Sequence, residues 1–267
     1  MVTLDDIYTF KDFGLIPLQG YKHPIISEIS NKTIKIPGVP GEYYFGTEIG
    51  TKSFSIPLGI IERDKNIVQQ KLNKLVSFLF DQYGKPRLIK MVFDYEPDVY
   101  YMVRVNSNVT PDRMMIATKF SLPFVAYDPY KYSVALADEI TWGSETITFE
   151  YDYLMGHEGT TGLAHLTKPQ TLLATVDGLA VRPVIEIFGS ASGLSLFTGN
   201  YTIKFPNFSN TTWVIDCDKY TVLKNGSNAF NEVSLRDFVL TPGTNFIDMI
   251  ASTISITIQI KFRDKYI

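Results

Sequence analysis

A chain of 267 residues exceeds the usual size of one domain, so two units of about 130 residues are expected, each able to bury a core. Its composition, 45% hydrophobic and 13% aromatic with 16 Tyr and 18 Phe, favours ordered β structure and excludes disorder. The net charge of −3 is scattered, with no basic run longer than two residues, which excludes the electrostatic footprint of a nucleic-acid binder.

The N-terminus, Met1-Val-Thr-Leu-Asp-Asp6, has neither a basic nor an apolar signal region, and no apolar run of about 18 residues follows. Neither membrane nor export by signal peptide is expected. Residues 2–60 read as short strands punctuated by Gly and Pro: Ile25–Ile29, Thr33–Ile36, Tyr43–Phe45 and Lys52–Leu58. Pro37-Gly-Val-Pro-Gly41 between them is a loop, because its prolines lack amide donors and its glycines favour turn dihedrals.

One segment predicts a helix, over 64–83. Asp64 can cap it, and Val68, Leu72, Leu75, Val76, Leu79 and Tyr83 recur at three- and four-residue spacing before Gly84 and Pro86. Lys65, Gln69, Gln70, Asn73 and Lys74 on its other face suggest a cover over a sheet. Strands at Leu88–Asp94, Tyr100–Val105 and Met114–Val125 then form a meander, closed by Asp128-Pro129-Tyr130.

From about residue 132 the pattern is all β, with strands at Glu145–Tyr151, Pro183–Phe188, Tyr201–Phe205, Thr212–Asp216, Thr221–Leu223 and Asp237–Leu240. Residues 152–181 read as a Gly/Thr/Leu-rich connection with weak periodicity. In the last strand Ile254, Ile256, Ile258, Ile260 and Phe262 alternate with Ser255, Thr257, Gln259 and Lys261. The sequence leaves open whether this strand completes the second domain (133–267) or returns to the first (1–132).

No catalytic, cofactor-binding or metal site is predicted. Lone Cys217 supports neither a disulfide framework nor a multi-cysteine metal site, suits a reducing cytoplasm, and sits between Asp216 and Asp218, which would raise its pKa. His157, Glu158 and His165 lack both helical register and a fourth ligand. Asp94, Glu96 and Asp98 could pair as carboxylates, but Pro97 is read as breaking the strand geometry and leaving a solvated hairpin turn. Gly189-Ser-Ala-Ser-Gly193 does not match a nucleophile elbow. Trp142 and Trp213 could stack sugars, but Trp213 lies in the apolar run Trp213-Val-Ile215 and reads as core.

The order of elements resembles the distal tail protein family of siphophages along nearly the whole chain. In the first half the resemblance rests on the Ile36–Gly41 loop, the single helix and Phe124-Val-Ala-Tyr-Asp-Pro-Tyr130. In the second it rests on Arg182-Pro-Val-Ile-Glu-Ile-Phe-Gly189, Val214-Ile-Asp-Cys-Asp218, the Asn225-Gly226 turn and Phe238-Val-Leu-Thr-Pro-Gly-Thr-Asn245. It implies a mainly β fold: an N-terminal ring-forming β domain with one covering helix, then a galectin-like β-sandwich. The implied function is structural, not enzymatic.

That function is a homo-hexameric ring at the distal end of the tail tube. Its partners would be the tail tube protein, the tail-tip hub protein and receptor-binding proteins, in the virion at the phage tail tip, after synthesis in the host cytoplasm. The alternative is a carbohydrate-binding module recognising host cell-wall polysaccharide, although the side chains that clasp sugar in galectin-type sites are not evident in residues 183–262. A wall hydrolase would have to rest on Asp94, Glu96 and Asp98.

Overall fold

The computed structural model describes residues 2–136 and 163–267, so Trp142, the expected strand Glu145–Tyr151, His157 and Glu158 lie outside the described residues. The chain divides into two compact units, Met1–Lys131 and Tyr132–Tyr266.

The first unit holds β1 (Val2–Leu4), β2 (Tyr8–Thr9), β3 (Ile16–Pro17), β4 (Ile29–Ile34), β5 (Tyr43–Ile49), β6 (Lys52–Ile61), α1 (Lys65–Leu79), β7 (Ile89–Phe93), β8 (Glu96–Val105), β9 (Asp112–Arg113) and β10 (Ala117–Ala126). Its main sheet runs β2-β1-β7-β8-β10-β6-β3. Period two builds this sheet. Along β6, Phe54, Ile56, Leu58 and Ile60 are buried, and the strand pairs antiparallel with β10 from Lys52↔Ala126 to Ile61↔Ala117.

Val68, Leu72, Leu75 and Leu79 of α1 complete that core, as the helical period requires. Asp64 caps the helix by accepting from the Asn66 amide at 2.8 Å. The helix stops four residues earlier than the sequence suggests. Asp81 accepts from the amides of Tyr83 and Lys85, Gly84 takes φ +71°, and Phe80 is extended, bridging to Pro86, so Tyr83 is an exposed turn residue. The β7–β8 turn is likewise tighter than expected. It occupies Asp94 and Tyr95 only, while Glu96, Pro97 and Asp98 already lie on β8, so Pro97 does not break the strand.

The second unit contains β11 (Lys131–Ser133), which begins at the boundary, then β12 (Ala164–Leu166), β13 (Gln170–Val176), β14 (Val184–Ser192), β15 (Ser195–Thr198), β16 (Tyr201–Lys204), β17 (Phe208–Asp216), β18 (Thr221–Lys224), β19 (Ser227–Asn228), β20 (Ser234–Leu235), β21 (Gly243–Ile250), β22 (Thr253–Lys261) and β23 (Lys265–Tyr266). Two sheets, β12-β22-β14-β17-β18-β19 and β13-β21-β15-β16-β20, share one core in which Trp213, Phe238 and Ile258 are fully buried. The final long strand β22 pairs with β14 over nine residues, from Val184↔Lys261 to Ser192↔Thr253.

Two expectations are corrected here. The described part of the 152–181 connection carries β12 and β13, and β13 pairs with β21 along its whole length. Asp237–Leu240 is not a strand; it makes one bridge, Val181↔Leu240, beside the bidentate Arg182–Asp237 contact at 2.9 and 3.3 Å.

Candidate subunit interface

The feature of the first unit that its own core does not explain is the hairpin β4–β5. Among the described residues the two strands pair only with each other. All six residues of β4 are exposed, as are all of β5 except Gly46. Of the 30 large hydrophobic side chains exposed among the described residues, ten fall between Ile25 and Ile49, so the exposure is concentrated, not scattered. A two-stranded ribbon with both faces in water is marginal by itself. Such an element is stabilised when another surface covers it.

On one face Asn31, Thr47 and Tyr44 are joined by side-chain hydrogen bonds, Thr47 Oγ1 donating to Asn31 Oδ1 at 2.8 Å; the other face carries the Lys32–Glu48 ion pair. A register shift at Lys32/Thr33 twists the ribbon between them. Beyond it the chain turns through Pro37-Gly-Val-Pro-Gly41, where the Val39 amide donates to the Ile36 carbonyl at 3.1 Å and Gly38 takes φ +84°.

The root of this arm is fastened at two levels. Gly50 donates to the Glu28 carbonyl at 2.7 Å and Glu28 to the Thr51 carbonyl at 3.2 Å, and Lys22 exchanges backbone bonds with Ser55 of β6. Between those levels lies a polar aromatic cluster. His23 stacks on Phe93 (centroids 4.8 Å, planes 26° apart) and its ring nitrogens face two phenols, Nδ1 the Tyr95 hydroxyl and Nε2 the Tyr101 hydroxyl at 3.4 Å. Tyr95 in turn meets Tyr21 at 2.9 Å.

Lys52 is fully buried; it donates to the Tyr101 hydroxyl at 3.3 Å and lies 5.2 Å from that ring's centroid. Because Lys52 can only donate, Tyr101 directs its own proton to Nε2, and Nδ1–H of a neutral His23 donates to Tyr95. Burial, then the charges of Lys52 and Lys131, lower the His23 pKa, against the opposing pull of Glu96. Burial also lowers the Lys52 pKa and raises those of Tyr21 and Tyr101. Lys131, the last residue of this unit, ion-pairs with Glu96.

A second apolar feature is a groove of about 580 Å³ beside α1. It is lined by Leu72 and Val76 of the helix, by Val109 and Pro111 of the loop after β8, and by Phe120 and Leu122 of β10. Arg113 lines it as well and donates to Gln69 Oε1 at 2.8 Å.

The residues weighed as chemistry in the sequence are not assembled. Glu96 is held by Lys131, and His165 is exposed on β12 with Nδ1 2.8 Å from Thr257 Oγ1. Trp213 is fully buried against Phe205 and Phe208, too deep to stack a sugar. Cys217 is buried too, and burial, followed by the Asp216 charge, pushes its thiol up to about 12, which leaves it protonated and unreactive. Among the described residues no three His, Cys, Asp or Glu side chains are grouped to hold a metal, and no helix is long and apolar enough to cross a membrane. Sequence reasoning passed over His23 and Lys52; a lysine opening an apolar β run was the available signal.

Residues 8–126 match the family model of the phage tail protein RIFT-related domain. The matched span lies within the first unit. No curated protein matches the chain. Among solved structures it is similar to the Dit protein (gp 19.1) of phage SPP1, described as a paradigm of the hub adsorption apparatus in phages infecting Gram-positive hosts. That likeness has 14% identity and a TM-score of 0.72, covering 100% of this chain and 98% of that one. A chain of the phage P2 baseplate in its activated conformation with Ca also matches, at 10% identity and TM-score 0.47, covering 97% of this chain and 94% of that one.

The distal tail resemblance read from the sequence is borne out by the tail-domain match and by the SPP1 fold, which spans both units. The motifs that carried it are structural. Asn225-Gly226 is the two-residue turn between β18 and β19, with φ +50° and +80°. Asn245 holds the Thr241-Pro-Gly turn by accepting from the Thr241 amide at 2.9 Å and donating to its carbonyl at 2.7 Å.

Proposed function

We propose that this protein is a non-enzymatic ring subunit of a phage tail tip. Six copies close the distal end of the tail tube, and the ring joins the tube protein on one side to the tail-tip hub protein on the other. The second units offer attachment for receptor-binding proteins. The observation that carries this reading is the β4–β5 arm, an apolar ribbon that its own unit leaves exposed on both faces.

An arm on one patch and a receiving surface on another allow a heterologous contact, in which each copy gives to one neighbour and receives from the next. Such contacts close into rings when the rotation between copies is a whole fraction of a turn. The RIFT-related tail domain and the SPP1 hub-protein fold over the full chain support the location.

The test is the native mass of the full chain at increasing concentration. A ring predicts roughly 180 kDa, six chains of 30.2 kDa. A chain that stays at 30.2 kDa throughout, and binds neither tube nor hub protein, overturns the reading.

A further inference from the structure

We infer that the groove beside α1 is the receiving surface for the arm, so that the tip of one copy, Ile36–Glu42, seats in the groove of the next. This rests on the ring reading and names the contact that builds it. The two surfaces match chemically. The tip Ile36-Pro-Gly-Val-Pro-Gly41 carries no charge, and Ile36 and Val39 stand 44% and 42% exposed. The groove presents Leu72, Val76, Val109 and Pro111 and holds about 580 Å³, within the range of roughly 300–1,000 Å³ usual for pockets that bury a small apolar ligand.

Val76 sets the groove apart from an ordinary helix flank. It lies beside the buried stripe of α1, is 52% exposed, and faces open volume in a helix whose neighbouring apolar positions are covered. Two prolines restrict the tip's dihedrals before it binds, which lowers the entropy lost on docking.

Their charges are complementary as well. Glu42 directly follows the tip and is exposed, and among the described residues it makes no ion pair. Arg113 lines the groove, and its one hydrogen-bond partner there is the neutral Gln69 side chain. A tip lying in the groove brings an unpaired carboxylate to an unpaired guanidinium, the pairing suited to bidentate contact. Tip and groove are also different patches of one unit, so each copy can give its tip to one neighbour and take a tip from another, the head-to-tail arrangement that a ring requires.

The test measures, by native mass, the concentration at which half of the full-length chains are in the ring, for wild type, Glu42→Arg, Arg113→Glu and the double reversal. Each single reversal is expected to raise that midpoint about tenfold or more, the scale of a broken interfacial charge pair, and the double reversal to recover most of the loss. All four melting temperatures as dilute monomers should agree, since both side chains are on the surface.

A second reading uses Val39→Cys with Val76→Cys in one chain, which under mild oxidation should give a ladder of linked copies. Single reversals that leave the midpoint unmoved, a double no better than the singles, or a ring that forms without the 39–76 link, overturns the groove and leaves the ring standing. A wild-type chain that never assembles overturns both.

Discussion

Asp264 is a carboxylate held where its charge is least welcome. It is 7% exposed in the second unit, accepts from the Asp177 amide at 2.9 Å, and burial pushes its pKa up to about 6. The folded state therefore holds the proton more tightly than the unfolded chain, whose carboxyl titrates near 3.8. Stability falls as pH rises between those two values and is flat above the higher one. Asp264→Asn keeps the acceptor oxygen and removes the charge, so it should raise the melting temperature by roughly 3–6 °C at alkaline pH, and by about half as much at pH 5. An equal change at both pH values would show that the buried charge is not the cause.

His23 carries the opposite sign of pH dependence. Its folded pKa is lowered, so the unfolded state takes up the proton first, and stability is held above the ordinary pKa of about 6.5 and falls as pH drops below it. Protonation also makes both ring nitrogens donors, which leaves the Tyr101 hydroxyl proton without its acceptor, beside buried Lys52. Urea midpoints compared at pH 7 and pH 5 should therefore drop further for the wild type than for His23→Gln. Parallel curves would sink the assignment of a neutral His23. Because this cluster fastens the root of the arm, acid is expected to loosen the arm before it melts the sheet.

At the scale of elements, β14 shows why a glycine ends the Arg182–Gly189 motif. Gly189 takes φ +135°, in a region that side chains rarely adopt, and a Cβ there would press on the Ser255 carbonyl of β22 and lie 2.9 Å from the Ile256 Cα. The strand is central, paired with β17 on one side and β22 on the other, so the backbone cannot give way. Gly189→Ala should cost about 2–4 kcal/mol of second-unit stability, measured by urea unfolding of the full chain. A loss near zero would mean that β22 shifts freely.

The elements legible in the sequence were those whose period matched their burial. Helix α1 and strands β6 and β22 showed a clean apolar stripe because one face is covered and the other wet. Strand β21 was hidden because Phe246 and Ile250 face outward while Ile247 and Met249 face inward, so both phases read as apolar. Its partner β13 was hidden likewise by Leu172 and Leu173. The arm was legible as strands around a Pro-Gly loop but not as an arm, and Ile25–Ile29 was placed too early, since Ile25 and Ile26 precede β4. Apolar periodicity reports a core, and an element whose apolar residues no surface of its own unit covers leaves the code without an internal reference.

For the whole molecule, the decisive property is that the two units have separate cores, one built around Phe54, Leu58 and Phe124 and the other around Trp213, Ile187 and Ile258. Heat should therefore melt the full chain in two steps. Arm and groove both belong to the first unit, so the proposed assembly through them would stabilise that unit by mass action, while the second would gain nothing directly. In scanning calorimetry the transition assigned to the first unit should rise with protein concentration, and the other should stay fixed. The Asp264→Asn and Gly189→Ala variants identify the second-unit peak independently, because each moves that peak alone. Replacing Ile36–Gly41 by Asn-Gly should make the first-unit peak independent of concentration without shifting its dilute-limit value. If both peaks rise together, the second units also associate, and a ring held by the first unit alone is wrong.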